Sequence, residues 1–160
     1  MRGYRDLKVY QLAYKLAMEI FNETKPFPKE ERYSLTDQIR RSSRGVATNM
    51  AEGYRKRRYP NMLVSKMADA DSEGAETHVW LDFAQDRGYL SRDQHDELVE
   101  GYEEVGRMLG SMMANPEKFG IRYRKGERSF LKSCLLHGAY CLMHCAYCLL
   151  LSKGVTDAWN

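Results

Sequence analysis

The chain has 160 residues, with 43% of them hydrophobic and 29% charged. That is enough apolar material for one domain with a real core and too little chain for two, and it excludes a disordered polyelectrolyte. The formal charge of +3 is too small to name a partner, so the placement of the charges carries more than their sum.

Residues 1–8 are charged and lack the apolar run of a secretory signal, so a cytoplasmic chain is expected. From residue 6 to 24, Val9, Leu12, Leu16 and Ile20 recur at helical spacing, with Ala13, Ala17 and Phe21 widening the stripe. Pro26 and Pro28 end that helix, because each disfavours the α conformation in the residue before it. Ser34 followed by Asp37 resembles a capping box with Asp in place of Glu or Gln, which opens a second helix over 35–58. Its apolar face is Leu35, Ile39, Val46 and Met50. Pro60 suits a first helical turn and starts a third helix over 61–87, carrying Leu63, Met67, Ala70, Gly74, Val79, Leu81 and Ala84 and stopping at Gly88. Ser91 and Gln94 form a second capping box, and Leu98, Tyr102, Val105, Leu109 and Met112 make the fourth stripe, closed by Pro116. Long helices joined by short turns predict an all-α fold, an antiparallel up-and-down four-helix bundle over 1–122. Residues 123–160 form a Cys-rich apolar extension, expected to be partly helical.

The second helix is the sharpest chemical feature. Arg40, Arg41, Arg44, Arg55, Lys56, Arg57, Arg58 and Lys66 are opposed between residues 38 and 66 only by Glu52. Such a cluster can hold a phosphate backbone, and Tyr54 and Tyr59 flank the second half of it, where they could stack on unpaired bases. Read without function, the same run is a solvated face or one side of helix–helix ion pairs. The third helix has the opposite sign, with Asp69, Asp71, Glu73, Glu76, Asp82 and Asp86. A metal site from Asp69, Glu73, Glu76 and His78 is conceivable, but the paired Glu-x-x-His motif of di-metal bundles is missing, so no metal and no cofactor is expected. An acidic surface facing the basic helix, within a subunit or across an interface, is the favoured reading. Asn49 lies where the stripe predicts burial, with Gln38 and Glu52 as candidate partners for its amide.

These residues resemble a known family. DLKVYQLA at 6–13, Phe27 with Pro28, Tyr33 to Leu35, and the ordered string QIRRSSRGVATNMAEG at 38–53 are similar to the four-helix-bundle S23 family, proteins encoded by intervening sequences of bacterial 23S ribosomal RNA. EGAETHVWLDFA at 73–84 and MMANPEKF at 112–119 look like a branch related to the accessory variability determinant of diversity-generating retroelements. The resemblance spans about residues 4–122. It implies a bundle that assembles as a homopentamer, a basic surface for RNA or DNA carried by Arg40, Arg41 and Arg44, and, in the retroelement branch, a reverse transcriptase as partner. It implies no enzymatic activity, no catalytic residues and no small-molecule substrate. Arg55, Lys56, Arg57 and Arg58 join the candidate surface on charge alone. An oligomeric scaffold without nucleic-acid contact is the alternative.

The family pattern ends near Phe119. Beyond it LLHGAYC at 135–141 is nearly repeated as LMHCAYC at 142–148. All four cysteines (Cys134, Cys141, Cys145 and Cys148) lie in this stretch, so they cannot staple the body as a disulfide framework. The spacing of the last three matches an iron–sulfur motif whose α/β scaffold has no room here. Zinc held with His137 or His144 lacks an accepted loop spacing. Roughly twenty uncharged residues before Lys153 have the length of a membrane span, but histidines and tyrosines argue against one. A heptad seam, or an extension without a role of its own, is the preferred reading.

Overall fold

The computed structural model describes residues 3–120. Four helices make up most of that span: α1 (Lys8–Glu23), α2 (Asp37–Lys56), α3 (Pro60–Asp86) and α4 (Arg92–Ala114). Among the described residues there is no strand. The expected extension at 123–160, with its cysteines and its apolar stretch, lies outside the described residues.

Each boundary has a local cause. Pro60 begins α3, where its missing N–H would have had no intrahelical partner anyway. Gly88 ends it at φ 72°, donating to Gln85 O while Tyr89 N–H donates to Ala84 O, the paired bonds of a Schellman cap. Ser91 and Gln94 close the expected capping box reciprocally at the start of α4. The box expected at Ser34 does not form. Residues Arg32–Thr36 make a single π-helical turn that runs straight into α2, and Ser34 donates instead to the Glu31 carboxylate. Glu31 is better placed to claim that hydroxyl because it is itself fixed by Arg87 Nη1 at 2.6 Å, which ties the α1–α2 connection to the end of α3.

The helices close a square: α1 packs on α2 and α4, and α3 packs on α2 and α4. Neighbours run antiparallel, since Ser42 meets Thr77 while Gly53, further along α2, meets Lys66, earlier on α3. Likewise Leu16 packs on Gly101, and Glu23 accepts from Gln94. The core holds Ala13, Leu16 and Ile20 from α1, Ile39, Val46 and Met50 from α2, Leu63, Met67 and Leu81 from α3, and Leu98, Val105 and Leu109 from α4. Each large side chain taken from water there contributes about 1.5–3 kcal/mol.

One stripe is phased differently from its sequence expectation. On α3 the buried line is Leu63, Met67, Ala70, Thr77, Leu81 and Ala84, whereas Val79 is 50% exposed. Thr77 enters the core because its hydroxyl is satisfied there, 2.8 Å from Glu73 O and 2.9 Å from Ser42 Oγ. Asn49 is half-buried, not buried. Its partner is neither Gln38 nor Glu52 but Lys66, whose ammonium sits 3.1 Å from Asn49 Oδ1 and also pairs with Glu52 and Asp69 at 3.1 Å.

Candidate nucleic-acid interface

The arginines of α2 are sorted by helical phase. Positions 39, 42, 46, 50 and 53 are buried, which turns Arg41, Arg44, Thr48 and Arg55 outward as one exposed line. Arg41, Arg44 and Arg55 form no ion pair among the described residues; of the acids near that line, Glu52 is paired with Lys66, Asp37 sits at the first turn of α2, and Asp6 shares a recess with Arg55. The arginines therefore do not face the acidic helix. Asp69, Glu73 and Glu76 lie on the flank of α3 that meets Gly45 and Asn49, and Asp82 turns towards α4, where its carboxylate is 2.8 Å from His95 Nε2. Of the cations counted in the basic run, Lys66 pairs with one of these carboxylates, Asp69, at 3.1 Å. His78 stands on the α4 side, its ring 6.1 Å from that of Tyr102, so it does not converge with Glu73 and Glu76. Among the described residues no cluster of acids, histidines and cysteines is placed to hold a metal.

Arg40 has a different role from its neighbours. Its Nε donates to Thr24 Oγ1 at 2.7 Å, its Nη2 reaches Phe21 O at 3.4 Å, and its guanidinium lies 4.7 Å from the Phe21 ring centroid. Burial, reinforced by the adjacent Arg44, pulls its pKa below the ordinary arginine value, yet it stays a cation at neutral pH. Arg44 Nε donates to Arg40 O at 2.6 Å, which leaves both terminal nitrogens of this exposed side chain without a hydrogen bond among the described residues. The two guanidiniums are thus held in place before any ligand arrives, so little side-chain freedom is lost on binding.

The second half of the basic run is less uniform. Arg55 is exposed, Lys56 half-buried, and Arg58 lies exposed in the turn leading to α3. Arg57 folds back, donating to Tyr54 O at 2.7 Å with its guanidinium 4.0 Å above the Tyr54 ring. Tyr54 is only 8% exposed and so cannot take a base, contrary to the expectation from sequence; Tyr59 remains at the surface. Arg55 and Arg57 line a recess shared with Tyr4, Arg5 and Asp6 from the start of the chain.

The aromatic platform that sequence placed around Arg55 to Arg58 sits instead on α1. Tyr10, Tyr14, Met18 and Phe21 line up beside Ala17 and, with Tyr4, face Arg40, Arg44, Ala47, Thr48 and Ala51 across a groove of about 510 Å³. The Tyr10 and Tyr14 rings stack at 6.2 Å, and Tyr4 meets Tyr10 edge-on at 5.0 Å. The sequence holds a signal for this, aromatics at 10, 14 and 21, but helical spacing alone assigns Phe21 to the core stripe, whereas it is 41% exposed.

The profile of the 23S rRNA-intervening sequence proteins matches residues 5–111, a span that includes all four helices up to the last turn of α4. The chain belongs to the 23S rRNA-intervening sequence protein family. Within the matched span lie the arginine line, the α1–α2 groove and both halves of the basic run. A solved structure with the same fold is a protein of unknown function from the S23 ribosomal protein family of Bacteroides thetaiotaomicron, at TM-score 0.60 and 22% identity. The alignment covers 66% of this chain and 97% of that one, so the bundle is the shared part. A comparison with curated proteins returns no match. No helix among the described residues is long and apolar enough to cross a membrane.

Proposed function

We propose that this member of the family is a non-enzymatic nucleic-acid-binding bundle that works in the cytoplasm as an oligomer, a ring of five copies, with RNA as its partner. The single observation that carries this is the exposed line of Arg41, Arg44 and Arg55 with no carboxylate paired to it. Arg41 and Arg44 lie within one turn and repel one another unless an anion sits between them, Arg55 extends the positive edge about 16 Å further along the helix, and a phosphate backbone supplies anions at regular intervals. The family's name refers to an insertion in 23S rRNA, which makes RNA the first nucleic acid to test. The groups gathered here are arginines and aromatic rings. Arginine does not exchange protons near neutral pH, so the surface suits binding and not acid–base chemistry. A role beside a reverse transcriptase is a narrower form of the same reading, supported by the string at 73–84, and a neighbouring reverse transcriptase gene with a variable repeat would mark it.

The experiment is fluorescence anisotropy of the full chain with a labelled RNA at rising salt. Affinity at low salt that falls steeply with ionic strength is the expected outcome; no binding at low salt, or binding that salt leaves unchanged, overturns the reading. A second reading, an oligomeric scaffold only, is favoured by the acidic flank of α3 beside exposed Val79 and Phe83, a face that could meet the arginines of another copy. Under that reading, charge reversal at Arg41, Arg44 and Arg55 breaks the oligomer and changes no RNA binding.

A further inference from the structure

The α1–α2 groove is continuous with the arginine line, since Arg44 belongs to both, yet its walls are apolar. Tyr14 is 55%, Met18 45% and Phe21 41% exposed, and side by side they make a contiguous apolar patch of the kind that marks a binding surface. The lining includes no carboxylate; its charged groups are Arg40 and Arg44. Arg40 and Lys25 both lie over the Phe21 ring, 4.7 and 5.1 Å from its centroid, and the ring still keeps 41% of its surface exposed. A volume of about 510 Å³ falls within the range of small-ligand sites, enough for a flat aromatic group with room beside it.

We propose that this groove takes unpaired bases of single-stranded RNA, stacked on Tyr14 and Phe21, while Arg40 and Arg44 hold the adjoining phosphates. The proposal rests on the nucleic-acid reading above and narrows it from RNA in general to unpaired strands. The physical reason is access. In an A-form duplex the base faces are stacked on each other, and side chains reach only the shallow minor groove and the backbone. A wall of ring faces gains nothing from such a surface. A single strand offers every base face, and each stacks on an aromatic side chain with little regard to sequence. The Arg40 and Arg44 guanidiniums, anchored through their Nε atoms, present their outer N–H groups where the backbone of a stacked nucleotide would pass.

The test compares three labelled probes on the full chain: a short mixed-sequence RNA strand, the same strand annealed to its complement, and a strand of equal length and charge lacking bases. Tighter binding of the intact strand than of either other probe is expected. Tyr14→Leu with Phe21→Leu keeps apolar bulk but removes both ring faces. It should weaken the single strand by about 5-fold to 100-fold while duplex affinity and the salt slope stay put. Equal binding of the baseless strand overturns the proposal and needs no variant to show it. So does an unchanged single-strand affinity in a double variant whose helicity and melting match the parent. Should the double variant fail to fold, Tyr14→Leu alone at the more exposed ring serves. If the RNA-free protein is an oligomer by sedimentation and these substitutions dissolve it, a second copy occupies the groove and the proposal falls. If no probe binds at low salt, the nucleic-acid reading itself has failed; if intact strand and duplex bind equally well and both release with salt, only the groove assignment has.

Discussion

Thr77→Val removes one hydroxyl from the seam between α2 and α3 while keeping a side chain branched at Cβ. Thr77 and Ser42 are both fully buried, with their oxygens 2.9 Å apart. Each hydroxyl has one proton, so one donates to the other and the second proton goes to a backbone carbonyl. That acceptor is Glu73 O at 2.8 Å from Thr77 or Ile39 O at 3.3 Å from Ser42. Without the Thr77 hydroxyl, Ser42 keeps only the long bond to Ile39 O, which places the cost at about 1–2 kcal/mol, between a lost net bond and a stranded buried polar group. Ser42→Ala costs less, about 0.5–1 kcal/mol, because Thr77 retains its shorter bond to Glu73 O. The double variant strands nothing, so its loss should fall short of the summed singles by about 1 kcal/mol. Urea unfolding of the four proteins reads this as midpoint shifts at constant slope, since the surface exposed is unchanged. Single losses that add to within about 0.3 kcal/mol would refute the hydrogen-bonded pair.

Two glycines should respond in opposite directions to alanine. A Cβ at Gly53 would lie 2.9 Å from Lys66 Cβ, an atom fixed to the α3 backbone, so α2 and α3 must separate and overpacking of about 1–3 kcal/mol outweighs the gain in helix propensity. Gly110 on α4 is exposed with nothing near its missing Cβ, and Gly110→Ala should stabilise by up to about 1 kcal/mol; thermal melts shifting the same way for both would contradict this packing. His95 joins α4 to α3 through Asp82 at 2.8 Å and also contacts Asp96 at 2.9 Å. Burial alone would lower its pKa, but the hydrogen bonds and charges of Asp96 and Asp82 win and hold it above the ordinary 6.5. A raised folded pKa means the contribution to stability is fully present below the unfolded value and is lost as pH rises through the folded one. The stability gap between the parent and His95→Gln should therefore be widest in mild acid and narrow towards alkaline pH. A gap independent of pH removes the charged pair from the account.

The bundle was readable because its signals are local and repeated. Helical spacing of Val9, Leu16 and Ile20, a proline at the head of α3, Gly88 at its end and the Ser91–Gln94 box each act within one turn of chain. What escaped the sequence depends on partners far away in it. Ser34 looked like a cap until Glu31, pinned by Arg87, took its hydroxyl. Val79 outranked Thr77 on polarity, yet only Thr77 sits opposite Ser42, and that pairing cannot be seen in a single helix. The candidate surface divided in the same way. Arg41 and Arg44 were legible from α2 alone. The clamping of Arg40 on Phe21, the folding of Arg57 over Tyr54 and the aromatic wall on α1 all needed two elements brought together. Membership of the family was carried by the ordered string at 38–53, which resists coincidence better than any count of charges.

If the outward arginines of α2 neutralise RNA phosphates, each contact adds about −0.7 to the slope of log affinity against log salt for a single strand. Replacing Arg41, Arg44 and Arg55 together by glutamine should make that slope shallower by about 2 and weaken binding most at low salt, with the melting temperature preserved. A triple variant that binds RNA with the parent's slope and affinity would contradict the assignment of α2 as the phosphate-binding face.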